Sequence, residues 1–325
     1  MSKAIRVHAT GGPEVLRWEE VEVGAPGEGE ALVRHAAVGL NYIDVYFRTG
    51  LYPAPGLPFT PGMEGAGTVE AVGPGVSEVA PGDRVAYAAA PVGAYAEVRL
   101  MPARKLVRLP DSIDFEQGAA MMLQGMTVEY LLRRTYPLRG GETILFHAAA
   151  GGVGLIACQW ASHLGATVIG TVGSDEKAEL ARAHGCAHPI VYSREDFVER
   201  VREITGGEGV PVVYDSVGRD TFARSLECLR PRGMLVSFGQ SSGPVEPLDI
   251  GVLSAKGSLY LTRPTLMTYT AAREDLLASA QALFEVVESG AVRIEIGQRF
   301  PLAEAAAAHR ALEARRTTGS TVLVP

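Results

Sequence analysis

The stretch that decides the fold is Glu142–Asp175, ETILFHAAAGGVGLIACQWASHLGATVIGTVGSD. Thr143 to Phe146 is a short β-prone run that enters a glycine-rich turn, Ala149-Ala150-Gly151-Gly152-Val153-Gly154. The chain leaves the turn as a helix, because Val153, Ile156, Ala157, Trp160 and Leu164 recur at i, i+3, i+4, i+7 and i+11. A second β-prone run, Thr167 to Val172, completes a βαβ unit. With no side chain at Gly151 or Gly154, backbone N–H groups and the helix N-terminus can approach a pyrophosphate. Ala150, Gly151, Gly152 and Val153 are therefore candidate dinucleotide contacts. From Thr143 to Ser174 there is no Lys, Arg, Asp or Glu, a length that could also span a bilayer. Six glycines, two histidines and a changing period fit a buried parallel-sheet unit better. Ala149 replaces the first glycine of a G-x-G-x-x-G fingerprint, so the reading rests on the strand before the turn and the helix after it.

At 325 residues, 47% hydrophobic and 21% charged, the chain has room for two ordinary domains. Its formal charge of −7 is spread along the sequence, with no basic stripe to recommend nucleic acid or an anionic membrane as partner. Met1 to Arg6 leads to a Gly12-Pro13 turn without an apolar targeting segment, so a cytoplasmic location is expected. Cys158, Cys186 and Cys228 are odd in number and show no C-x-x-C spacing, which indicates neither a disulfide framework nor a zinc cluster. Asn41 is the one asparagine in the chain. In a sequence that otherwise avoids this thermolabile amide, its retention points to function.

Up to about Gln124, short β-like runs (Ala4–Val7, Ala31–Val38, Gly65–Val72, Arg84–Tyr87, Tyr95–Leu100, Lys105–Leu109) are separated by turn residues, suggesting a mostly antiparallel β domain. Asp114 and Gln117 have capping-box spacing ahead of a helical stretch. Beyond Asp175 the α/β alternation continues with helices at Lys177–His184, Arg194–Thr205 and Asp220–Leu229. Strands at Pro189–Val191, Val210–Asp215 and Met234–Gly239 alternate with them. Such alternation implies a doubly wound parallel sheet whose ligand sits at the C-terminal strand ends. Gly257 to Thr262 reads as an edge strand suited to pairing with a second subunit. Helices from Tyr269 to Ser289 and from Ala303 to Arg315, and a strand Thr321–Val324, close the chain.

GLNYIDVYFRTG (39–50), PGMEGAGTV (61–69), the VGPGV and PGDRV turns, AAGGVG (149–154), YDSVG (214–218), SFG (237–239) and GSTVLVP (319–325) together resemble a known family. It is the zinc-free, zeta-crystallin-like quinone oxidoreductases of the medium-chain dehydrogenase/reductase superfamily, and the resemblance runs nearly end to end. It implies an α/β protein with a Rossmann-type nucleotide-binding domain at 125–265. A GroES-like, mostly antiparallel β catalytic domain would be built from 1–124 and 266–325. It also implies a homodimer joined through the nucleotide domains.

Zinc-dependent members of the superfamily hold their metal with a cysteine near the place of Asn41 and a histidine at the place of Met63. A catalytic zinc takes about three N, S or O ligands, which Glu64 alone does not supply, so no metal is expected. A quinone needs none, since its conjugated carbonyls accept electrons and hydrogen-bond donors stabilise the developing oxyanion. Candidate donors and pocket residues are Asn41, Tyr42, Tyr46, Tyr52, Gln124 and Thr127. By resemblance Asn41 and Thr127 bond the nicotinamide carboxamide or the quinone oxygen, and Tyr46 or Tyr52 lines the pocket. The tyrosines can equally be core aromatics.

The acid that binds a ribose 2′-OH in NAD sites belongs about 20 residues beyond the glycine turn, where Gly173-Ser174 stands instead. This favours NADPH. By resemblance Gly173, Lys177 and Tyr192 surround the 2′-phosphate, with Ser174 a further cofactor-binding candidate, although Asp175-Glu176 would repel it if turned inward. Ser216, Val217, Phe238, Gly239 and Ser241 pack adenosine, ribose and nicotinamide, and Arg315 reaches the cofactor. The expected activity is NADPH-dependent reduction of a quinone. Reduction of an α,β-unsaturated carbonyl, or a structural or RNA-binding role like that of some relatives, stays open.

Overall fold

A computed structural model describes residues 2–54 and 56–325. The chain divides into two compact units, one of residues 1–126, 270–288 and 294–325, the other of 127–269 and 289–293. The first unit begins with Ser2–Val7 (β1), paired antiparallel with Leu16–Val21 (β2). Glu30–Leu40 (β3) runs into the helix Tyr42–Thr49 (α1), and Glu64–Val72 (β4), Arg84–Ala88 (β5), Val98–Pro102 (β6) and Val107–Arg108 (β7) follow. The helix Phe115–Tyr130 (α2) starts with the expected capping box. Gln117 N–H donates to Asp114 Oδ1 at 2.7 Å, and Asp114 N–H to Gln117 Oε1 at 3.3 Å.

The second unit alternates without exception. Its strands are Thr143–Phe146 (β8), Thr167–Val172 (β9), Cys186–Val191 (β10), Val210–Asp215 (β11), Leu229–Ser237 (β12) and Tyr260–Thr262 (β13). Between them lie helices Gly152–His163 (α3), Asp175–Ala183 (α4), Phe197–Ile204 (α5), Phe222–Ser225 (α6) and Gly251–Ala255 (α7), and Leu266–Tyr269 (α8) follows β13. The strands pair in parallel in the order β10-β9-β8-β11-β12-β13. Numbered within the unit this is 3-2-1-4-5-6, the Rossmann order, with its switch point between β8 and β11. Leu145, Ile169, Val213 and Leu235 of four adjacent strands form the centre of its core with Phe197 and Phe222.

The chain then returns to the first unit through Arg273–Glu288 (α9), Ile296–Pro301 (β14), Ala305–Glu313 (α10) and Ser320–Val324 (β15). The seven-stranded sheet runs β14-β15-β3-β4-β5-β7, with β6 as a seventh strand on β3, and only β14–β15 is parallel. β2 and β14 had no clear strand signature, because LRWEEV and IGQRFP carry charges or Gly and Pro where alternation would be read. The helix expected from Arg194 begins at Phe197, because Asp196 is its N-cap and its Oδ1 accepts the N–H groups of Val198 and Glu199. The long helix expected from Tyr269 is broken at 270–272, where the chain passes from one unit to the other.

Two features hold the glycine turn. Ala148 sits at φ 56°, a left-handed conformation that costs a non-glycine residue energy. Gly151 N–H donates to Ala148 O at 3.0 Å, and a Cβ on Gly154 would lie 2.3 Å from the same oxygen. Beneath the turn, buried His147 places Nδ1 2.9 Å from Thr171 Oγ1 and Nε2 3.0 Å from Ser225 Oγ. Ser225 in turn donates to Asp215 Oδ2 at 2.9 Å. Burial lowers the His147 pKa, so the neutral ring ties the ends of β8, β9 and β11 together. Since backbone cannot yield as a flexible side chain does, Gly154→Ala is expected to destabilise the protein by about 1–3 kcal/mol. Urea unfolding checks this, and an unchanged midpoint would contradict the close approach.

Candidate functional site

Every nucleotide-side residue singled out in the sequence, Arg315 excepted, lies at the C-terminal edge of the six-stranded sheet. Ala150 to Val153 follow β8, with Gly151 the N-cap of α3. Gly173 and Ser174 follow β9, and Ser174 caps α4 by accepting Lys177 N–H at 3.4 Å. Tyr192 follows β10, half exposed, and a Cβ on Gly173 would sit 2.9 Å from its hydroxyl. Ser216 and Val217 follow β11, where Asp215 Oδ1 accepts Val217 N–H at 2.8 Å. Phe238, Gly239 and Ser241 follow β12. Ser241 N–H donates to Ser216 O at 3.1 Å, and Gly239 lies so near Ser216 that a Cβ would come within 2.6 Å of its carbonyl oxygen. Phe238 also packs on Phe146, ring centroids 5.7 Å apart.

Asp175 does not behave as feared. Its carboxylate is held by both terminal nitrogens of Arg194, at 2.7 and 2.5 Å. Arg194 was not foreseen, since it is 19 residues away and reaches Asp175 only because β10 pairs beside β9. The pair is exposed, so it is weak as a stabilising element. It does leave Asp175, the residue after Ser174, paired with a guanidinium.

The other candidates form a buried polar chain in the first unit. Asn41, the N-cap of α1, is 6% exposed. Its Nδ2 lies 2.6 Å from Glu64 Oε2 at the start of β4, and its Oδ1 lies 3.1 Å from Gln124 Nε2 in α2. Gln124 Oε1 lies 2.8 Å from Ser320 Oγ, which is also 3.0 Å from Ala120 O. Glu64 is fully buried, and its Oε1 accepts Leu123 N–H at 2.7 Å. A Cβ at Gly39 would come within 2.4 Å of Glu64 Oε2 and 2.2 Å of Ala119 O, so only glycine leaves room there for this carboxyl. Desolvation pushes the Glu64 pKa up to about 8, against the lowering effect of the Leu123 N–H and the Asn41 amide.

A second arm starts at the Asn41 backbone, whose N–H donates to Asp44 Oδ2 at 2.9 Å. Tyr95 OH donates to the same oxygen at 3.0 Å and lies 3.1 Å from His309 Nε2. His309 Nδ1 is 3.1 Å from Arg48 Nη1, and Arg48 makes a two-point pair with Glu313 at 2.8 Å. Burial raises Asp44 to about 7 and lowers His309 to about 3. The imidazole is therefore neutral, donating from Nε2 and accepting the Arg48 N–H at Nδ1. This arm was missed in the sequence. Asn41-x-x-Asp44 has capping-box spacing and would have exposed its first link.

Tyr46 is buried in α1, its ring 5.1 Å from that of half-buried Tyr52, whose N–H donates to Tyr46 O. Thr127 is buried in α2 and its hydroxyl hydrogen-bonds buried Tyr130, which stacks on Tyr269 at 4.5 Å. Arg315 follows α10 in the first unit with φ 57°. The residues near Asn41 do not fit a zinc. Met63 offers a buried thioether, Asn41 an amide, and the Glu64 carboxyl is already committed to Asn41 and Leu123. No group of three or more His, Cys, Asp or Glu able to hold a metal occurs among the described residues.

Comparison with known proteins accords with this geometry. Residues 27–111 match the alcohol dehydrogenase GroES-like domain, and residues 152–281 match the family described as zinc-binding dehydrogenase. The chain is 61% identical to a quinone oxidoreductase of Pseudomonas aeruginosa, with 100% of both chains covered. It is 48% identical to a 2-haloacrylate reductase of a Burkholderia species, over 100% of this chain and 99% of the relative. The crystal structure of Escherichia coli quinone oxidoreductase complexed with NADPH superposes with a TM-score of 0.98 at 51% identity, covering 99% of this chain and 100% of that one. With both domain families matched and quinone oxidoreductases aligned over the full chain, the protein belongs to the zinc-free quinone oxidoreductases of the medium-chain dehydrogenase/reductase superfamily.

Proposed function

We propose that this protein is an NADPH-dependent quinone reductase. The observation that carries the reading is the end of β9. Where an NAD site sets an acid against the ribose 2′-OH, Gly173 and Ser174 stand, with Lys177 one turn on and the Tyr192 hydroxyl beside Gly173. The nearest acid, Asp175, is engaged by Arg194. Lys177, Tyr192, Ser174 and Arg194 thus suit a 2′-phosphate, and the glycine turn suits a pyrophosphate at the N-terminus of α3. The Escherichia coli relative solved with NADPH supports the same cofactor.

When bound, NADPH supplies two electrons and a proton, as a hydride or one electron at a time, which with a second proton reduce a quinone to its hydroquinone. The chain's own residues bind and orient. The loops of Ser216, Val217, Phe238, Gly239 and Ser241 pack the nucleoside portions, and Arg315 is assigned to the cofactor on resemblance. Asn41 and Thr127 serve the carboxamide or the acceptor oxygen, Gln124 positions Asn41, and Tyr46 and Tyr52 wall the acceptor. In this reading 1–124 and 266–325 form the catalytic domain and 125–265 the nucleotide domain. A second reading, reduction of an α,β-unsaturated carbonyl, is favoured by the 2-haloacrylate reductase relative, because a conjugated alkene acid is electronically similar to a quinone. An RNA-binding role is disfavoured by the formal charge of −7.

We further propose a cytoplasmic homodimer. No described helix is long and apolar enough to cross a membrane, and three free, buried thiols suit a reducing compartment. β13 is the last strand of its sheet, and Tyr260 and Leu261 on it are 59% and 38% exposed, so pairing with a second copy would cover an apolar edge.

Side-by-side fluorescence titration is expected to show NADPH binding at least about tenfold tighter than NADH, with Lys177→Ala removing most of that difference. Equal affinities would refute the cofactor assignment. Sedimentation velocity is expected to give a dimer for the native protein and a shift toward monomer for Leu261→Lys. A native monomer, or a variant that stays dimeric, would refute the interface.

A further inference from the structure

The last turn of α10 carries an arginine where helices commonly end on glycine. Arg315 N–H donates to Leu312 O at 3.0 Å and Arg316 N–H to Ala311 O at 3.1 Å, the paired bonds of a Schellman ending, with Arg315 in its left-handed position at φ 57°. Glycine takes that conformation freely, whereas a side chain strains it. The guanidinium of Arg315 is therefore kept at the expense of the backbone, and its direction depends on a turn that must be held shut. What holds it comes from α1. Arg48, 1% exposed, donates from Nη1 and Nη2 to the Glu313 carboxylate at 2.8 Å each, from Nη1 also to His309 Nδ1 at 3.1 Å, and from Nε to Gly11 O at 3.1 Å. At the other end of α1, Tyr42 OH donates to Leu312 O at 3.4 Å, the carbonyl that also receives the Arg315 N–H. Burial raises the Tyr42 pKa, Arg315 lowers it and Glu313 raises it, so both charges act on this phenol.

The Arg48 fork does more than neutralise a charge. A two-point pair fixes the plane of the Glu313 carboxylate as well as its distance, and Glu313 stands two residues before Arg315. His309, one turn earlier on the same face of α10, meets the same nitrogen. Two successive turns of α10 are thereby set in register against α1. We infer that Arg48 is a positioning residue for the cofactor, which fixes the last turn of α10 through Glu313 and so aims Arg315 at NADPH. The inference rests on the assignment of Arg315 to NADPH proposed above, and deepens it by naming what holds that side chain in place.

The sign of one change in NADPH affinity separates this role from a merely structural or electrostatic one. Glu313→Gln keeps the shape of the side chain, breaks the fork and removes a negative charge. The charge change alone would strengthen binding of an anionic cofactor, whereas loss of the aim weakens it. In fluorescence titration Glu313→Gln is expected to weaken NADPH binding about threefold or more, and Arg48→Lys, which keeps the charge without the fork, by a similar factor. The loss is expected in the KM for NADPH rather than in the KM for the quinone. Arg315→Gly, which removes the side chain and relaxes the turn, is expected to lose about tenfold, and adding Glu313→Gln to it to cost nothing further. Binding unchanged or tighter in Glu313→Gln would overturn the inference, as would the same loss persisting in the double variant. Glu313 is partly exposed, so its variant carries the test even where Arg48→Lys does not fold. An Arg315→Gly variant that binds NADPH like the native protein would refute the assignment of Arg315 and the inference with it. A native protein that binds NADPH but turns over no quinone would count against the quinone reductase reading alone, with the titrations still deciding what Arg48 does.

Discussion

A buried carboxyl with no cation bonded to it among the described residues is the constraint from which much of the first unit follows. Glu64 sits at the head of β4 with one oxygen on the Leu123 N–H and the other on the Asn41 amide. Leaving either oxygen unsatisfied in this interior would cost about 1–3 kcal/mol, so several choices around it are forced. Residue 39 of β3 must be glycine, because a side chain there would strike Glu64 and the Ala119 carbonyl. The backbone of α2 presents the Leu123 N–H to the acid. β15 brings Ser320 to close the row at Gln124. Four segments far apart in sequence are thereby tied to the amide of Asn41, which has little rotational freedom left.

That rigidity fits a protein whose chemistry resides in a bound nicotinamide and whose own task is orientation. A metal polarises an oxygen by charge, whereas an amide does so by direction and is useful only if its N–H and its lone pair point consistently. The second unit shows the same economy. His147, Thr171, Asp215 and Ser225 carry no evident chemistry, yet they fasten three strand ends beneath a turn in which Ala148 adopts a left-handed conformation. Both units spend buried polar groups on holding a few backbone and amide atoms still.

The sequence was most legible where one physical rule dominated locally. Strand, glycine turn and helix at Glu142–Asp175 were readable because apolar periodicity and missing side chains act within a few residues. The capping box at Asp114 and Gln117 was readable for the same reason. Asn41 stood out by composition, and Gln124 was a candidate donor by its place at the expected domain junction. The tertiary couplings were harder to see. Arg194 meets Asp175 through strand pairing, and Ser320 meets Gln124 across 196 residues. His309, Arg48 and Glu313 join Tyr95 only after α10 has packed against α1. Strands β2 and β14 were hidden by charge and turn-forming residues, and pairing partners outweighed their local composition.

A quinone reductase that uses NADPH and requires no metal is the reading proposed for this chain, which carries Asn41 and Met63 where, by resemblance, zinc-dependent relatives place metal ligands. Stripping the protein with a strong chelator, verifying metal content by elemental analysis, and following NADPH oxidation with a para-quinone tests it most directly. Undiminished turnover without stoichiometric metal is the expected result. Turnover that disappears on stripping and returns with added zinc would contradict the account.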